Sequence, residues 1–217
     1  MQYIEAFAGC REGVRGECEE VEGAKTMMKT LLRVSCLGAA LALASSIAAA
    51  QEIVHALSGT VTSVNAKIRM IEIDTDDGSS GHFEWVKKSG GEVDFDKSVK
   101  ADATAVDQFT GKGDHVIVYY TGQGQIRTAV AVHDLGNVTV EKIDGTVVKL
   151  NRHDHTLTIK NGAGAEQTIH LDAKTVGDTA TGVAKDLKFD FSKGDTVRVT
   201  AVQDNGGETA LLITPAM

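Results

Sequence analysis

The sequence Lys193-Gly194-Asp195-Thr196-Val197 has a counterpart 81 residues earlier, at Lys112-Gly113-Asp114-His115-Val116. Each of these segments follows a Gly-Thr-Val triplet, which begins at Gly59 in the first case and at Gly145 in the second. The two landmarks occur in the same order and at nearly the same spacing. The sequence therefore predicts a tandem repeat, with residues 51–136 as the first domain and residues 137–217 as the second.

Each copy has the pattern of five short strands. In the second copy, apolar and polar residues alternate over residues 156–159, 167–171 and 196–201, as in strands with one buried face. The Asn161-Gly162 pair indicates a tight hairpin turn. Residues 174–186 lack this alternation and are predicted to form a short helix or an ordered loop. The predicted fold class is all-β, with two tandem five-stranded OB-like small barrels; two small sandwiches are the alternative.

The first 50 residues have the layout of sequences that are removed from a mature protein. Residues 27–50 combine a basic start, a short apolar run and small residues that end in Ala48-Ala49-Ala50, which predicts a signal peptide and a mature chain from Gln51. The apolar run is shorter than the roughly 20 residues of a membrane-spanning helix. A retained anchor or a buried helix is the alternative. Residues 1–26 show no apolar periodicity, and we interpret them as an upstream start, with Met27 or Met28 as the initiator.

Charge and cysteine content narrow the class of protein further. All three cysteines lie within residues 1–50, so the predicted mature chain needs no disulfide and has no thiolate chemistry. The formal net charge is −8, and basic residues form no stripe. This argues against nucleic acid as a partner, since such binding depends on neutralising phosphates. The sequence predicts an exported protein, periplasmic or extracellular, with no membrane span in its mature part.

The order Gly-x-Val, alternating hairpin, Thr-containing middle and late Gly-Asp-x-Val strand resembles secreted bacterial small-barrel domains of unknown function. The resemblance covers residues 58–215 and implies the barrel fold rather than an activity. The pattern is also similar to periplasmic copper-binding OB barrels, whose copper motif uses a His, a Trp and a Met-x-Met pair. This sequence has no Met-x-Met, and the only methionine within residues 58–215 is Met70. The resemblance therefore implies the scaffold without that metal site.

Three histidines of the second copy are candidate metal ligands. His153 and His155 are two residues apart, so on a strand both imidazoles would point to one face and could bind a borderline cation such as Cu²⁺ or Zn²⁺. His170 is a candidate third ligand. The first copy has Lys67-Ile68-Arg69 at the matching positions, so such a site would belong to one copy only. The alternative is a solvated turn between two strands.

The segment Asp74-Thr75-Asp76-Asp77-Gly78 begins like a calcium-binding loop. The twelfth position of an EF-hand loop should be Glu, and here it is Trp85. We therefore interpret the segment as a hairpin turn.

Four residues of the first copy are candidates for an interface or ligand surface: Trp85, His115, Ile117 and Tyr119. Exposed aromatic residues on an OB barrel bind bases or sugars, whereas Trp85 alternating inward would be core. Ile117 and Tyr119 lie opposite the inward-facing Val116 and Val118, and they match Arg198 and Thr200 of the second copy. The first copy thus has the more apolar outer face, which favours a contact between domains or with a partner. Scattered apolar surface residues are the alternative.

No catalytic signature is present in the sequence: it has no P-loop, nucleophile elbow, His-Glu-x-x-His or dinucleotide fingerprint. We therefore predict a non-enzymatic binding or scaffolding protein of the cell envelope without a required cofactor. Its partner would be an envelope protein or a small ligand. The alternative function is periplasmic binding of copper or zinc through the histidines of the second copy.

Overall fold

The computed structural model describes residues 52–79, 81–85, 93, 95–124, 126–204 and 206–216. The predicted upstream segment and signal peptide lie outside these residues. Gln51–Met217 forms one compact unit. Among the described residues, no helix is long and apolar enough to cross a bilayer.

The first half is a closed five-stranded barrel, with the strand order β1-β2-β3-β5-β4. Its strands are β1 (His55–Asn65), β2 (Met70–Thr75), β3 (His82–Glu84), β4 (His115–Gln123) and β5 (Ile126–Gly136). A short helix α1 (Lys97–Ala101) and a 3-10 turn (Val106–Gln108) lie between β3 and β4. The Asp96 carboxylate caps α1 by accepting hydrogen bonds from the backbone N–H groups of Ser98 and Val99.

The second half is a six-stranded sheet in the order β11-β10-β6-β7-β8-β9, and an additional pairing joins β11 to β8. Its strands are β6 (Glu141–Asn151), β7 (Thr156–Lys160), β8 (Glu166–Thr179), β9 (Gly182–Ala184), β10 (Thr196–Asp204) and β11 (Gly207–Pro215). The all-β fold class is confirmed. The prediction of a helix or loop over residues 174–186 is wrong, because β8 continues to Thr179 and then pairs with β9.

The two sequence landmarks form one structural unit in each half. In the first, the Gly113 N–H donates to the Val61 carbonyl at 2.9 Å, and the Val61 N–H donates to the Asp114 carbonyl at 2.9 Å. In the second, Gly194 and Asp195 make the same pair of bonds with Val147, at 2.9 and 2.8 Å. The two glycines have φ of 90° and 99°, a left-handed conformation that side chains disfavour. In each half, the Lys-Gly-Asp step is therefore hydrogen-bonded to the strand that contains the Gly-Thr-Val triplet.

The hairpins that follow these strands are also alike. The Asn65 side-chain oxygen accepts hydrogen bonds from the N–H groups of Lys67 and Ile68, and Asn151 holds the next turn in the same manner. Each turn ends in a left-handed residue, Arg69 with φ 54° and His155 with φ 52°. In both halves the first strand also has a register shift, directly after the valine of the triplet.

Three clusters of buried apolar side chains stabilise the molecule. One fills the first barrel and includes Phe83, Trp85, Val116 and Val118. Another fills the second half and includes Val197 and Val199. The third lies where the two halves meet and takes side chains from both, among them Val54, Ala56, Ile117, Tyr119, Ala131, Val176, Val183 and Leu212. Along the Gly-Asp-x-Val strands, alternate side chains therefore point into the core of their own half and away from it.

Candidate functional site

The junction between the two halves combines a buried apolar cluster with several polar pairs. Its apolar part is the third cluster, where Ile117 and Tyr119 of β4 lie with Val176 of β8 and Leu212 of β11. Val99 of α1 belongs to the same cluster. At its edge, the Val183 N–H donates to the Val54 carbonyl at 3.0 Å, so backbone bonding also crosses the junction. Around this apolar centre, three groups of polar side chains make contacts between the two halves.

The first polar group is built on Asp178 of β8. Its carboxylate accepts a hydrogen bond from the Ala56 N–H at 3.0 Å and lies 3.0 Å from Nδ1 of His55. Burial raises the pKa of Asp178 above its ordinary value, although the Ala56 N–H and His55 act in the opposite direction. Asp178 thereby holds the start of β1 against the second half.

The second polar group is built on Asp76, in the turn after β2. Its Oδ2 atom lies 3.0 Å from Nε2 of His115, and its Oδ1 atom lies 3.2 Å from Nζ of Lys142 in the second half. Burial acts to raise the pKa of Asp76, but hydrogen bonds from His115, Ser58 and Lys142 outweigh it and hold the pKa below its ordinary value. Ser58 also meets Thr200 of the second half, at 2.8 Å between the hydroxyl oxygens.

The third polar group joins the segment after β9 to the segment after α1. The ammonium of Lys185 donates to the Asp102 carboxylate at 2.5 Å, and the Lys185 side chain is only 1% exposed. The bond from Lys185 is the main reason why the pKa of Asp102 lies below its ordinary value. Two polar atoms nearby are buried without a hydrogen-bond partner, Oη of Tyr119 and Nδ1 of His133.

The candidate metal ligands lie on the surface of the second half. His153 and His155 are exposed in the turn between β6 and β7, and His170 is exposed on β8. The Leu171 N–H donates to the His155 carbonyl at 2.9 Å, which brings the backbone of that turn beside His170. Within the described ranges, no group of three or more His, Cys, Asp or Glu side chains is placed to hold a metal ion.

The four candidate surface residues lie in different environments. Trp85 is 7% exposed and belongs to the cluster inside the first barrel. His115 is buried and bonded to Asp76, while Nδ1 of its ring lies 3.3 Å from the Thr60 hydroxyl. Ile117 and Tyr119 are fully covered by the third cluster, which contains side chains of the second half.

Sequence reasoning did not single out Asp178, Lys185 or Asp102, which hold the halves together. Asp178 and Lys185 are single charged residues beside small and apolar ones, in Val176-Gly177-Asp178 and Val183-Ala184-Lys185. A charge in such a setting is seldom buried unless it is paired. That signal was present in the sequence, but the partner on the other side could not be read from it.

No protein-family model matches the chain, and no curated protein matches it in sequence. Among solved structures, a crystal structure of Ag(I)CusF matches 36% of this chain and 97% of that chain, at 15% sequence identity and a TM-score of 0.28. The strand pairings, rather than this likeness, define the class of protein: an all-β chain with a closed five-stranded barrel and a second sheet docked against it.

Proposed function

We propose that the chain is a tandem pair of like barrels that acts as an exported, non-enzymatic binding or scaffolding protein of the cell envelope. The observation that carries this proposal is the junction, with its shared apolar cluster and its three polar groups. Only residues 137–140 separate β5 from β6, so the linker adds little freedom. Two barrels held in this manner present their outer faces in a constant arrangement, which suits a scaffold.

The repeated registers support the tandem part of the proposal. Glu84 of β3 pairs in parallel with Thr128 of β5, and His170 of β8 pairs in parallel with Thr209 of β11 at the matching positions. One of the two register shifts in β4–β5 falls after Tyr119, and the shift in β10–β11 falls after Thr200, again at matching positions. Because bulges are specific local features, their recurrence favours duplication of one barrel.

If the chain is exported, it should be found outside the cytoplasm without its signal peptide. We expect the protein, expressed from Met27 in a Gram-negative bacterium, to be released by osmotic shock with Gln51 at its N-terminus. Replacing Ala50 by leucine should leave most of the chain uncleaved, because the cleavage site requires a small residue there. Mass spectrometry of the released protein measures the outcome. In the same cells, chemical cross-linking should give a discrete adduct of the mature chain if it binds an envelope partner.

The matched control is Ala49→Leu, one residue away at a position that the A-x-A pattern leaves free. It should be cleaved as in the wild type. Cytoplasmic retention of the wild-type chain would contradict export. A released chain that gives no adduct would contradict the binding role.

The second candidate function is metal binding by the second half. The observation that favours it is the hydrogen bond from the Leu171 N–H to the His155 carbonyl, which places the turn containing His153 beside His170. Imidazole nitrogens suit Cu²⁺ and Zn²⁺. With two or three imidazoles as protein ligands, water would complete the coordination.

Calorimetric titration with Cu²⁺ and Zn²⁺ tests this candidate. If it is correct, the wild type binds at about micromolar Kd or tighter, about −8 kcal/mol, and the His153→Ala/His155→Ala double variant loses that binding. The matched control is His82→Ala, another exposed histidine in the first half, which should bind as the wild type does. Absent binding, or equal binding by the double variant, excludes this site.

A further inference from the structure

A hydroxyl, an imidazole and a carboxylate form a chain of contacts beside the junction. The Thr60 hydroxyl lies 3.3 Å from Nδ1 of His115, and Nε2 of the same ring lies 3.0 Å from Oδ2 of Asp76. The side chains of His115 and Asp76 are only 5% and 6% exposed, whereas Thr60 is exposed to solvent. The order of the three groups is that of a nucleophile, its general base and a group that orients the base.

The strand register holds these three side chains together. Thr60 of β1 lies directly opposite His115 of β4, so both side chains stand on the outer face of the first barrel. The turn after β2 is attached to β1, because the Asp76 N–H donates to the Ser58 carbonyl at 2.9 Å. Backbone hydrogen bonds therefore position all three groups before any reactant arrives, as efficient proton transfer requires.

The charge of Asp76 decides which nitrogen of His115 carries the proton. Burial acts to raise the pKa of Asp76, but hydrogen bonds, chiefly from His115, keep it below its ordinary value, so the carboxylate is ionised at neutral pH. An ionised carboxylate only accepts hydrogen bonds, and a neutral His115 must therefore donate to it through Nε2. Nδ1 then has the free lone pair, and it faces the Thr60 hydroxyl.

We propose that Thr60 is an acylation site, at which an activated carboxylic ester transfers its acyl group to the protein. Nδ1 of His115 takes the hydroxyl proton as Oγ1 of Thr60 attacks the carbonyl carbon of the ester. The new C–O bond forms, the bond to the leaving alkoxide breaks, and His115 passes the proton to that alkoxide. Asp76 is a positioning residue that also stabilises the intermediate imidazolium.

The transfer modifies each chain once and is not a turnover. It therefore adds a covalent attachment site to a non-enzymatic binding role and does not depend on that role. The competing explanation is that the contacts of His115 with Thr60 and Asp76 only stabilise the junction. In that case the Thr60 hydroxyl would react no faster than an ordinary exposed threonine.

The second half provides an ordinary threonine for comparison. Thr146 corresponds to Thr60 in the repeat, and it is also exposed on a strand. The residue directly opposite is Thr196, at the position of His115. Gly162 stands at the position of Asp76. Thr146 is thus matched to Thr60 in exposure and strand setting, with neither the base nor the carboxylate at the equivalent positions.

Acetylation by p-nitrophenyl acetate tests the site in the whole purified protein. At mildly alkaline pH, we expect Thr60 to be acetylated at least about 100-fold faster than Thr146 in the same molecule, the lower end of the gain from a positioned general base. Mass spectrometry of proteolytic peptides measures both rates, and fragmentation assigns each label to its residue. Equal rates at Thr60 and Thr146 would overturn the proposal.

Asp76→Asn separates activation from a structural role. The amide keeps the size of the side chain but can donate to Nε2 of His115, which moves the ring proton to Nδ1 and removes the lone pair that faces Thr60. Acetylation of Thr60 should then fall to the rate of Thr146, while circular dichroism shows an unchanged fold.

The matched control is Asp74→Asn, because Asp74 is an exposed carboxylate directly opposite Thr60 on β2. It should leave the rate at Thr60 as in the wild type. Fast acetylation of Thr60 in Asp76→Asn would contradict the role of His115 as base. If Asp76→Asn folds poorly, the comparison of Thr60 with Thr146 in the wild type still decides the question.

Discussion

Replacing Ile117 with arginine is expected to destabilise the protein by about 4 kcal/mol or more, the range reached when an unpaired charge is buried. Ile117 is 1% exposed in the apolar cluster between the two halves. A guanidinium at this position would lose its hydration without gaining a carboxylate. The charge would also separate side chains of β4 from those of β8 and β11. Urea denaturation followed by circular dichroism measures the loss.

The second half supplies the matched control, because Arg198 occupies the position equivalent to Ile117. Its guanidinium lies 2.6 Å from the Asp144 carboxylate, on a side of the molecule that is partly exposed. Arg198→Ile should therefore change stability by about 1 kcal/mol or less, as for surface ion pairs. Similar losses in the two variants would contradict the assignment of Ile117 to the junction.

Fluorescence of Trp85 is a second probe of unfolding for the Ile117→Arg variant. It is the only tryptophan in the chain, and it lies inside the first barrel. If the junction couples the halves, the wild type should unfold in one transition by both fluorescence and circular dichroism. Ile117→Arg should separate the two signals, because each half then unfolds on its own.

Replacing Gly177 with alanine is expected to cost about 3 kcal/mol, the upper part of the usual range for overpacking a core. A Cβ atom at this position would overlap the side chain of Phe189, with contacts to its Cβ, Cγ and Cδ1 atoms. Phe189 is buried in the core of the second half and cannot move away freely. For a chain of this size, the melting temperature should fall by about 6–12 °C.

Two further variants isolate the cause of this effect. Gly162→Ala is the control, since a Cβ there would meet no atom within 4 Å, and its stability should stay within about 1 kcal/mol of the wild type. Phe189→Leu, combined with Gly177→Ala, should cost less than the sum of the two single changes, because leucine leaves room for the new methyl group. Additive losses would show that the overlap with Phe189 is not the cause.

The all-β class and most strand positions could be predicted, because alternation and turn residues act over a few neighbouring residues. The hairpin at Asn161-Gly162 and the strand over residues 196–201 are observed where the pattern placed them, although the predicted tight turn is a five-residue loop over residues 161–165. The prediction for residues 174–186 is wrong because this stretch packs at the junction between the two halves, where both of its faces are buried. Burial on both faces removed the alternation that identifies a strand with one solvated face.

The sequence by itself determined most of the side chains that line the core of each half and most of the turns, since both follow from local periodicity and from the conformations of glycine and asparagine. Only the tertiary structure decided that the apolar outer face of β4 meets β8 and β11, and that Asp178, Asp76 and Lys185 find their partners there. Such pairs join residues up to 123 positions apart. Nothing in the local pattern specifies a partner at that distance, because its position depends on how both halves fold and then dock.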